Sequence, residues 1–242
     1  MAAQEYFEQL TKFDTPTICN ALEIIDPAAR LSGFTRKPLV NPFPGNGSFI
    51  GYARTATIRA THPNELSGDK GKQQRLDYYQ YVAKGGPTPS IAVLQDLDAE
   101  DTGFGCFWGE VQSNIHKGLG GVGVITDGGI RDIPDWADGF NALAGSIVPS
   151  HAHVHLAGFG QTVRIAGMVV KSGDIIHADQ HGAVVVPEEA IAKIPAACDL
   201  LQRKEAVILD LAKAPGFTFE KLKEAIAKML EVRSKGSGGD AK

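Results

Sequence analysis

The sequence predicts an α/β fold with a mixed sheet and helices at the C-terminus, from three patterns along the chain. The apolar run Ile91–Leu97 follows Pro87 and Pro89 and is typical of a buried parallel strand. From Gly145 onward, short strand-forming runs alternate with tight turns, which favours antiparallel pairing. Pro187, followed by two glutamates, opens the first of two helices that end the chain.

The first half of the chain predicts helices and strands in alternation. Asp14 or Thr15 can cap an early helix, because either side chain can accept a hydrogen bond from a first-turn N–H group, and Pro16 suits that turn. In the strand that follows, the residue type alternates along the length of the strand. The predicted elements are helix Thr15–Ile25, loop Lys37–Gly47, strand Ile50–Ala60, helix Lys70–Lys84 and strand Ile91–Leu97.

The second half predicts short strands followed by helices. The strands are Ser146–Pro149, Thr162–Ile165, Met168–Val170, Asp174–Ala178 and Ala183–Val186. One helix is predicted from Pro187 to about Ala212, with Pro195 as a kink or break, and another over Phe219–Arg233. The polar, glycine-rich tail Ser234–Lys242 predicts disorder.

Length, composition and charge indicate a globular protein that binds small molecules. With 242 residues, of which 43% are hydrophobic and 21% charged, the chain can bury a sizeable core in one large or two small domains. The net charge of −4 and the pI near 6.0 give no field for nucleic acid. Since no run suits a membrane span or a secretion signal, we expect a cytoplasmic protein without nucleic-acid or membrane partners.

Gly109–Asp135 is the segment most typical of a functional site. Glu110 precedes the neighbouring pair Arg131 and Asp132 by 21 positions. The strand Val122–Thr126 lies between them, and helical residues on either side of it predict helix N-termini at one end of that strand. Arg pairs with carboxylates and Asp binds hard divalent cations, so a carboxylate substrate is expected here. The same residues are also common in turns and helix caps, and that interpretation stays open.

Several short segments resemble a known family. They are Asp14–Leu22, Gly51–Ala56, Trp108–Glu110, Asp127–Asp132 and Gly173–Asp179 with the following Val186-Pro187. The chain resembles the divalent-metal aldolases typified by 4-hydroxy-4-methyl-2-oxoglutarate aldolase, which share a fold with the regulator of ribonuclease E activity A (RraA). The family signature is an acid, twenty residues, an Arg-Asp pair, two residues and another acid. Glu110, Arg131, Asp132 and Asp135 stand at those positions.

The resemblance implies a fold and a reaction. The fold would be a single domain over residues 1–233, layered as an α-β-β-α sandwich with mixed sheets, like the swivelling domains. The protein would be a lyase, a metal-dependent (class II) aldolase that cleaves a 4-hydroxy-2-oxo dicarboxylic acid to pyruvate and a second 2-oxo acid. Decarboxylation of oxaloacetate would pass through the same enolate.

The same resemblance implies roles for individual residues. Asp132 would bind Mg²⁺ or Mn²⁺ largely through ordered waters, and Arg131 would hold the pyruvate-like oxygens. Glu110 would order a water that takes the C4 hydroxyl proton. The backbone N–H groups that would bind the substrate carboxylate belong to Gly109, Glu110, Val111 and Gln112. Well-studied members carry Asp where this chain has Glu110, and the segment His62–Gln74 does not align, so the substrate itself stays open.

The resemblance also implies a homotrimer or hexamer. Leu222, Ile226, Met229 and Leu230 recur at helical spacing, which predicts either core packing or a subunit contact. A function of another class stays open: a non-catalytic regulator that binds a protein partner, as RraA does, and that needs no metal. The complete acid and Arg-Asp set favours the enzyme.

Two further patterns suggest other ligands. His151, His153 and His155 alternate, so an extended backbone would place them on one face, where they could bind a transition metal or line a pocket or a subunit interface. The glycines of Gly103–Gly109 form a GxGxxxG string that suggests a nucleotide cofactor. Its spacing is one residue too long for the dinucleotide fingerprint, which argues against that cofactor.

Overall fold

Helices lie at both ends of the chain and between the strands of a mixed sheet. The computed structural model describes residues 3–66 and 68–233. Its α-helices are α1 (Phe7–Leu10), α2 (Thr15–Ile25), α3 (Gly68–Lys84), α4 (Glu110–Gly118), α5 (Ile194–Ala212) and α6 (Phe219–Glu231). Its strands are β1 (Phe49–Arg59), β2 (Ser90–Asp96), β3 (Cys106–Trp108), β4 (Gly121–Thr126), β5 (Gly129–Ile130), β6 (Asn141–Leu143), β7 (Ser146–Ile147), β8 (His155–Phe159), β9 (Val163–Ile165), β10 (Met168–Val170), β11 (Ile175–Asp179) and β12 (Gly182–Val186).

The main sheet is mixed, which confirms the predicted α/β class. Its order is β12-β11-β1-β2-β4-β6, and β8 also pairs with β1. Strands β1, β2, β4 and β6 run parallel, with Ile91 opposite Ala53 on one side and Gly123 on the other. The first part of β1 pairs antiparallel with β11 and its last part pairs antiparallel with β8. One long strand therefore joins the parallel and antiparallel parts of the sheet.

Alternate residues of the central strands pack on opposite faces of the main sheet. Ala92 and Leu94 of β2 join a core cluster that includes Tyr78 of α3. Ile91 and Val93 join a different cluster with the β9-β10 hairpin. A helical layer thus covers one face and a second small sheet covers the other, in agreement with the expected layering.

Helix α2 has the bounds that the sequence predicted. Asp14 is its N-cap, and the Asp14 carboxylate accepts a hydrogen bond from the Thr17 N–H group at 2.9 Å. Pro16 lies in the first turn. Ile18 packs in one cluster with Ile194 of α5, so the two ends of the chain share a core beside β11 and β12.

The helix predicted from Pro187 begins later than expected. A short 3-10 turn, Ile191–Lys193, comes first, and α5 starts at Ile194. Pro195 therefore lies in the first turn of α5, where its missing N–H group costs no helical hydrogen bond, and it does not kink the helix. The predicted start was wrong, although the predicted break at the proline is present.

Some expectations fall outside what the described residues test. The tail Ser234–Lys242 lies outside them, and the single domain over residues 1–233 stays a prediction. Of the helices within residues 3–66 and 68–233, none combines the length and apolar character that a bilayer span requires.

Candidate active site

A small parallel sheet brings three separate segments of the chain together. Its order is β3-β5-β7, and both of its pairings are parallel. The carboxyl ends of its strands therefore lie at one edge, where open α/β sheets commonly bind ligands. Helix α4 follows the end of β3, the Arg-Asp pair follows β5, and the segment leading to His151 follows β7. Strands β3 and β5 are too short to be predicted from the sequence pattern.

The strand ends enclose a cavity of about 270 Å³, which we call the inner cavity. Gly109, Val111 and Gln112 line it beside α4, and Arg131 and Asp132 line it beyond β5. The other residues that line the inner cavity are Arg75, Phe107, His151 and Val154. Of the six residues predicted for the site, only Glu110 is absent from this lining.

Arg131 is held by groups from both neighbouring strand ends. Its backbone N–H donates to the Trp108 carbonyl at 3.0 Å, and its guanidinium Nη1 donates to the Pro149 carbonyl at 3.3 Å. Its Nε lies 3.4 Å from the Asp132 carboxylate, and the two side chains are 29% and 39% exposed. The arginine is therefore fixed in place and still open to a ligand.

Asp132 has a left-handed backbone, with φ of 53° and ψ of 40°. Residues other than glycine seldom adopt this conformation, and aspartate and asparagine tolerate it best. Asp132 precedes one short 3-10 turn, Ile133–Asp135, and not the longer helix that its sequence suggested. Strained residues of this kind are common at functional sites.

Gly109 is the N-cap of α4, and no side chain caps this helix. The N–H groups of the first helical turn lack helical acceptors, so they are available to an anion beside the positive end of the helix dipole. A Cβ atom at Gly109 would collide with the Asp132 Oδ2 atom and would lie 3.4 Å from the Arg131 Cγ atom. Glycine therefore lets the start of α4 approach the Arg-Asp pair closely.

The donor set of the inner cavity suits a hydrated hard cation. Asp132 supplies the one carboxylate among the described residues that line it. No cluster of three or more His, Cys, Asp and Glu residues in the described parts of the chain could enclose a metal. Mg²⁺ commonly keeps several waters and takes one or two carboxylates together with substrate oxygens. Asp132 is therefore the residue that could hold such an ion.

Glu110 occupies the first position of α4 with its side chain exposed. Its carbonyl accepts hydrogen bonds from the Ser113 hydroxyl at 2.9 Å and from the Asn114 amide at 2.8 Å. An acid is favourable at this end of a helix whether or not it takes part in a reaction. Its role in ordering a water stays a prediction.

Arg75 is a residue of the inner cavity that the sequence interpretation missed. It lies on α3 three residues before the buried Tyr78, so both are on the same side of the helix. That spacing was the available signal, but no pattern connected α3 with the Arg-Asp pair. Arg75 adds a second arginine to the cavity.

His151 is the histidine that faces the inner cavity. Burial lowers its pKa, and the Arg131 cation lowers the pKa further, whereas Asp132 raises it and Arg75 adds another lowering effect. Since the net shift is downward, His151 carries a neutral imidazole at neutral pH.

The three alternating histidines do not share one face. Ala152 has a φ of 48°, so the chain turns between His151 and His153. His151 lines the inner cavity, whereas His153 and His155 line a different one. The extended backbone that would have placed all three on one face is interrupted by this turn. The cavities agree with the alternative that the histidines line a pocket, and a subunit interface stays a prediction.

The cavity that contains His153 and His155 adjoins the inner one, and we call it the outer cavity. Its volume is about 600 Å³. Lys72, Leu76 and Tyr79 line it from α3.

The Gly103–Gly109 string does not form a phosphate-binding loop. Strand β3 runs between Gly105 and Gly109. The glycines therefore flank a strand, whereas the dinucleotide fingerprint joins a strand to a helix. The geometry gives no support to a nucleotide cofactor.

Comparisons with known proteins identify the family of this chain. The sequence model of the RraA-like family, described as Aldolase/RraA, matches residues 15–185. A protein of Marinomonas sp. (strain MWYL1), provisionally named a 4-hydroxy-4-methyl-2-oxoglutarate aldolase, is 28% identical over 141 residues, which are 55% of this chain and 75% of that protein. An uncharacterized protein of Methanocaldococcus jannaschii is 32% identical over 127 residues, which are 50% of this chain and 61% of that protein. The latter match spans less than two thirds of that relative.

A solved structure shows the same fold. The crystal structure of Streptomyces coelicolor RraAS2, described as an unusual member of the RNase ES inhibitor RraA protein family, matches with a TM-score of 0.64. The match covers 83% of this chain and 94% of that one, at 23% identity. At this identity the likeness shows the fold alone.

Proposed function

We propose that this chain, which belongs to the RraA-like family of aldolases and RraA proteins, is a divalent-metal-dependent aldolase. It would cleave a 4-hydroxy-2-oxo dicarboxylic acid to pyruvate and a second 2-oxo acid, with decarboxylation of oxaloacetate as a related activity. The observation that carries the proposal is the inner cavity, where Arg131, Asp132 and the uncapped start of α4 meet.

The substrate would enter with its 2-oxo acid end in the inner cavity. The N–H groups at the start of α4 would bind the carboxylate, since they lack helical acceptors and lie at the positive end of the helix dipole. Arg131 would bind the pyruvate-like oxygens through its planar guanidinium. Its contacts with Pro149 and Asp132 hold that group in position before the substrate arrives.

Asp132 would hold Mg²⁺ or Mn²⁺ through its carboxylate. When bound, the cation would draw electrons from the 2-oxo group and stabilise the negative charge that develops as the C3–C4 bond breaks. Arg131 places a fixed positive charge beside the same oxygens. No lysine is among the described residues that line the inner cavity, which agrees with a mechanism without a Schiff base.

Proton transfer would take place next to C4 of the substrate. By the family resemblance, a water ordered by Glu110 accepts the proton of the C4 hydroxyl group. His151 faces the same cavity as a neutral imidazole and can accept a hydrogen bond from that hydroxyl group. Water would later protonate the pyruvate enolate.

We also propose that the chain assembles as a homotrimer or a hexamer. The support from this chain is an apolar surface on α6, where Phe219, Ile226 and Leu230 are exposed. Leu222 and Met229 on the same helix are half-buried. The apolar residues that recur along this helix are therefore divided between packing within the chain and a surface open to a partner.

The test measures pyruvate release from 4-hydroxy-4-methyl-2-oxoglutarate and from oxaloacetate, with Mg²⁺, with Mn²⁺ and with a chelator. The variant is Asp132→Asn, because asparagine keeps the left-handed backbone of this position and removes only the charge. Alanine there would add backbone strain to the loss of a ligand. Release should need the metal and should fall at least about 100-fold in Asp132→Asn.

The matched control is Asp138→Asn, at an exposed aspartate that does not line the inner cavity. It should release pyruvate as the parent does. Release that persists with the chelator, or equally in Asp132→Asn, would rule out metal chemistry at this residue. No release from either substrate would favour the non-catalytic regulator.

A further inference from the structure

The outer cavity continues from the inner cavity and is more than twice as large, about 600 Å³ compared with about 270 Å³. Arg75 and Val154 line both spaces, so the cavities meet at these two side chains. Beside them, the Gln112 amide donates a hydrogen bond to the Tyr79 hydroxyl at 2.9 Å and joins α4 to α3. A ligand held at Arg131 can therefore extend past Arg75 into the outer cavity.

The outer cavity has a basic lining. Lys72, Arg75, His153 and His155 contribute to it, and none of the described residues that line it is acidic. Lys72 precedes Arg75 by three residues on α3, so it lies on the same side of the helix about 5 Å further from the junction.

Lys72 has one acidic neighbour outside the lining. The Asp69 carboxylate lies 3.5 Å from the Lys72 ammonium, and the two side chains are 100% and 80% exposed. An ion pair this exposed is weak, because water competes for both charges. A bound anion can therefore take the place of Asp69.

Apolar side chains share the lining of the outer cavity with the cations. Leu76 and Tyr79 of α3 face the outer cavity, and Val154 faces it from the opposite wall. These groups offer apolar contacts to a hydrocarbon stem. The outer cavity thus combines a cation at the junction, a second cation further out and apolar side chains in the same lining.

We propose that the outer cavity binds the far end of the substrate, and that this end is an apolar stem of roughly four carbons ending in a carboxylate at Lys72. This inference rests on the proposed function, since it requires the 2-oxo acid end to lie in the inner cavity. The substrate class would be 4-hydroxy-2-oxo diacids that carry this stem on C4 beside the C4 carboxylate, so that cleavage still releases pyruvate and a second 2-oxo acid, which bears the terminal carboxylate.

The test is calorimetric binding of three stable probes in the presence of Mg²⁺: pyruvate, 2-oxooctanoate and 2-oxooctanedioate. The last two have the same chain length and differ only in the terminal carboxylate. The diacid should bind at least about fivefold more tightly than the monoacid, a modest ratio because Lys72 is exposed. Failure of pyruvate itself to bind would count against the proposed function, whereas binding of pyruvate without a preference for the diacid would overturn only this inference.

Variants of α3 test which side chains cause the preference for the diacid. Lys72→Met should remove the preference for the diacid over the monoacid, and Lys70→Met, at an exposed lysine outside the outer cavity, should keep it. Leu76→Glu should also remove the preference because it adds a negative charge to the cavity wall, whereas the uncharged Leu76→Gln should keep it. A preference unchanged in both Lys72→Met and Leu76→Glu would overturn the proposal. If, in addition, Leu76→Glu altered the mass of the assembly, the outer cavity would be a subunit contact.

Discussion

Gly109 is a residue at which the absence of a side chain controls the geometry of the proposed site. Its φ of −167° is an extended conformation that any residue can adopt, so conformation does not require a glycine. Space does, because a Cβ atom there would meet the carboxylate of Asp132. The requirement is therefore steric and acts directly on the proposed metal ligand.

We expect Gly109→Ala to displace Asp132 and to weaken binding of Mn²⁺ at least about tenfold. The physical reason is overpacking, which typically costs about 1–3 kcal/mol and here falls on one carboxylate and the neighbouring Arg131. Calorimetric titration with Mn²⁺ measures the affinity, and urea unfolding measures the free energy of unfolding. The first quantity should change more than the second, since Asp132 is partly exposed and free to shift.

Gly118→Ala is the matched control, because Gly118 lies at the other end of the same helix and a Cβ atom there meets nothing within 4 Å. It should bind Mn²⁺ like the parent and gain up to about 1 kcal/mol in the free energy of unfolding. Equal Mn²⁺ affinity in both variants would show that Gly109 does not set the position of the metal ligand.

Much of the candidate site could be predicted at the level of residues. Arg131, Asp132 and Gly109 lie in one segment of chain, and their chemistry together with a family signature identified them. Arg75 could not be found in this way, since it comes from another helix and reaches the cavity only through tertiary packing. His151 was grouped with His153 and His155 because the three alternate in the sequence, but the turn at Ala152 separates His151 from the other two.

At the level of elements, a buried network joins α3, α4 and β3 behind the proposed site. His116 of α4 lies 4.4 Å, centroid to centroid, from the Trp108 ring of β3. The carbonyl of Gln112 lies 2.7 Å from Nδ1 of His116 and can only accept, so Nδ1 carries the proton. Nε2 then accepts a hydrogen bond from the Tyr78 hydroxyl of α3 at 2.9 Å. The network therefore requires a neutral imidazole.

We expect acid to weaken the fold through His116. Burial lowers the pKa of His116 to about 4, against an opposing effect from the hydrogen bond with the Gln112 carbonyl, whereas the unfolded chain has the ordinary value of 6.5. As the pH falls, the unfolded state binds the proton first. The stabilisation is complete above about pH 6.5 and is lost by about pH 4, which lowers the free energy of unfolding by about 3 kcal/mol. Urea unfolding across this pH range measures the change.

His116→Gln separates this effect from other acid-sensitive groups. The variant is expected to be less stable at neutral pH, but its free energy of unfolding should fall with acid by about 3 kcal/mol less than that of the parent. His177, whose pKa is also lowered by burial, is present in both proteins and cancels in the comparison. An equally steep fall in the variant would show that other groups cause the acid sensitivity.

The helices and strands differ in how accurately their bounds could be predicted from the sequence. Helix α2 was predicted with its bounds because a cap, a proline and a helical pattern agree. The observed bounds of strand β2 and of the short strands from β9 to β12 lie within about one residue of the predicted bounds, because turn residues mark the ends of these strands. Strands β3 and β5 were missed because three and two residues carry no periodicity, and tertiary pairing alone makes them strands.

At the level of the whole molecule, α6 leaves apolar surface uncovered within the chain. Phe219 is 68% exposed and Leu230 is 60% exposed, and Ile226 lies between them on one side of the helix. Burying such a side chain contributes roughly 1.5–3 kcal/mol, which gives this surface a reason to meet another subunit. The opposite side of α6, which includes Lys228, is polar.

We expect light scattering after size-exclusion chromatography to show a trimer or a hexamer for the parent, and a smaller species for Leu230→Glu. A carboxylate placed in an apolar contact loses its hydration without a partner, which costs several kcal/mol and exceeds what one leucine contributed.

Lys228→Gln is the matched control, since it changes the net charge by the same unit on the polar side of α6 and should keep the parent mass. Because the proposed site is built from β3, β5 and β7 within one chain, Asp132-dependent Mn²⁺ binding should survive in Leu230→Glu. If the smaller species lost Mn²⁺ binding, the neighbouring subunit would be part of the metal site; if the mass did not change, α6 would not form the contact.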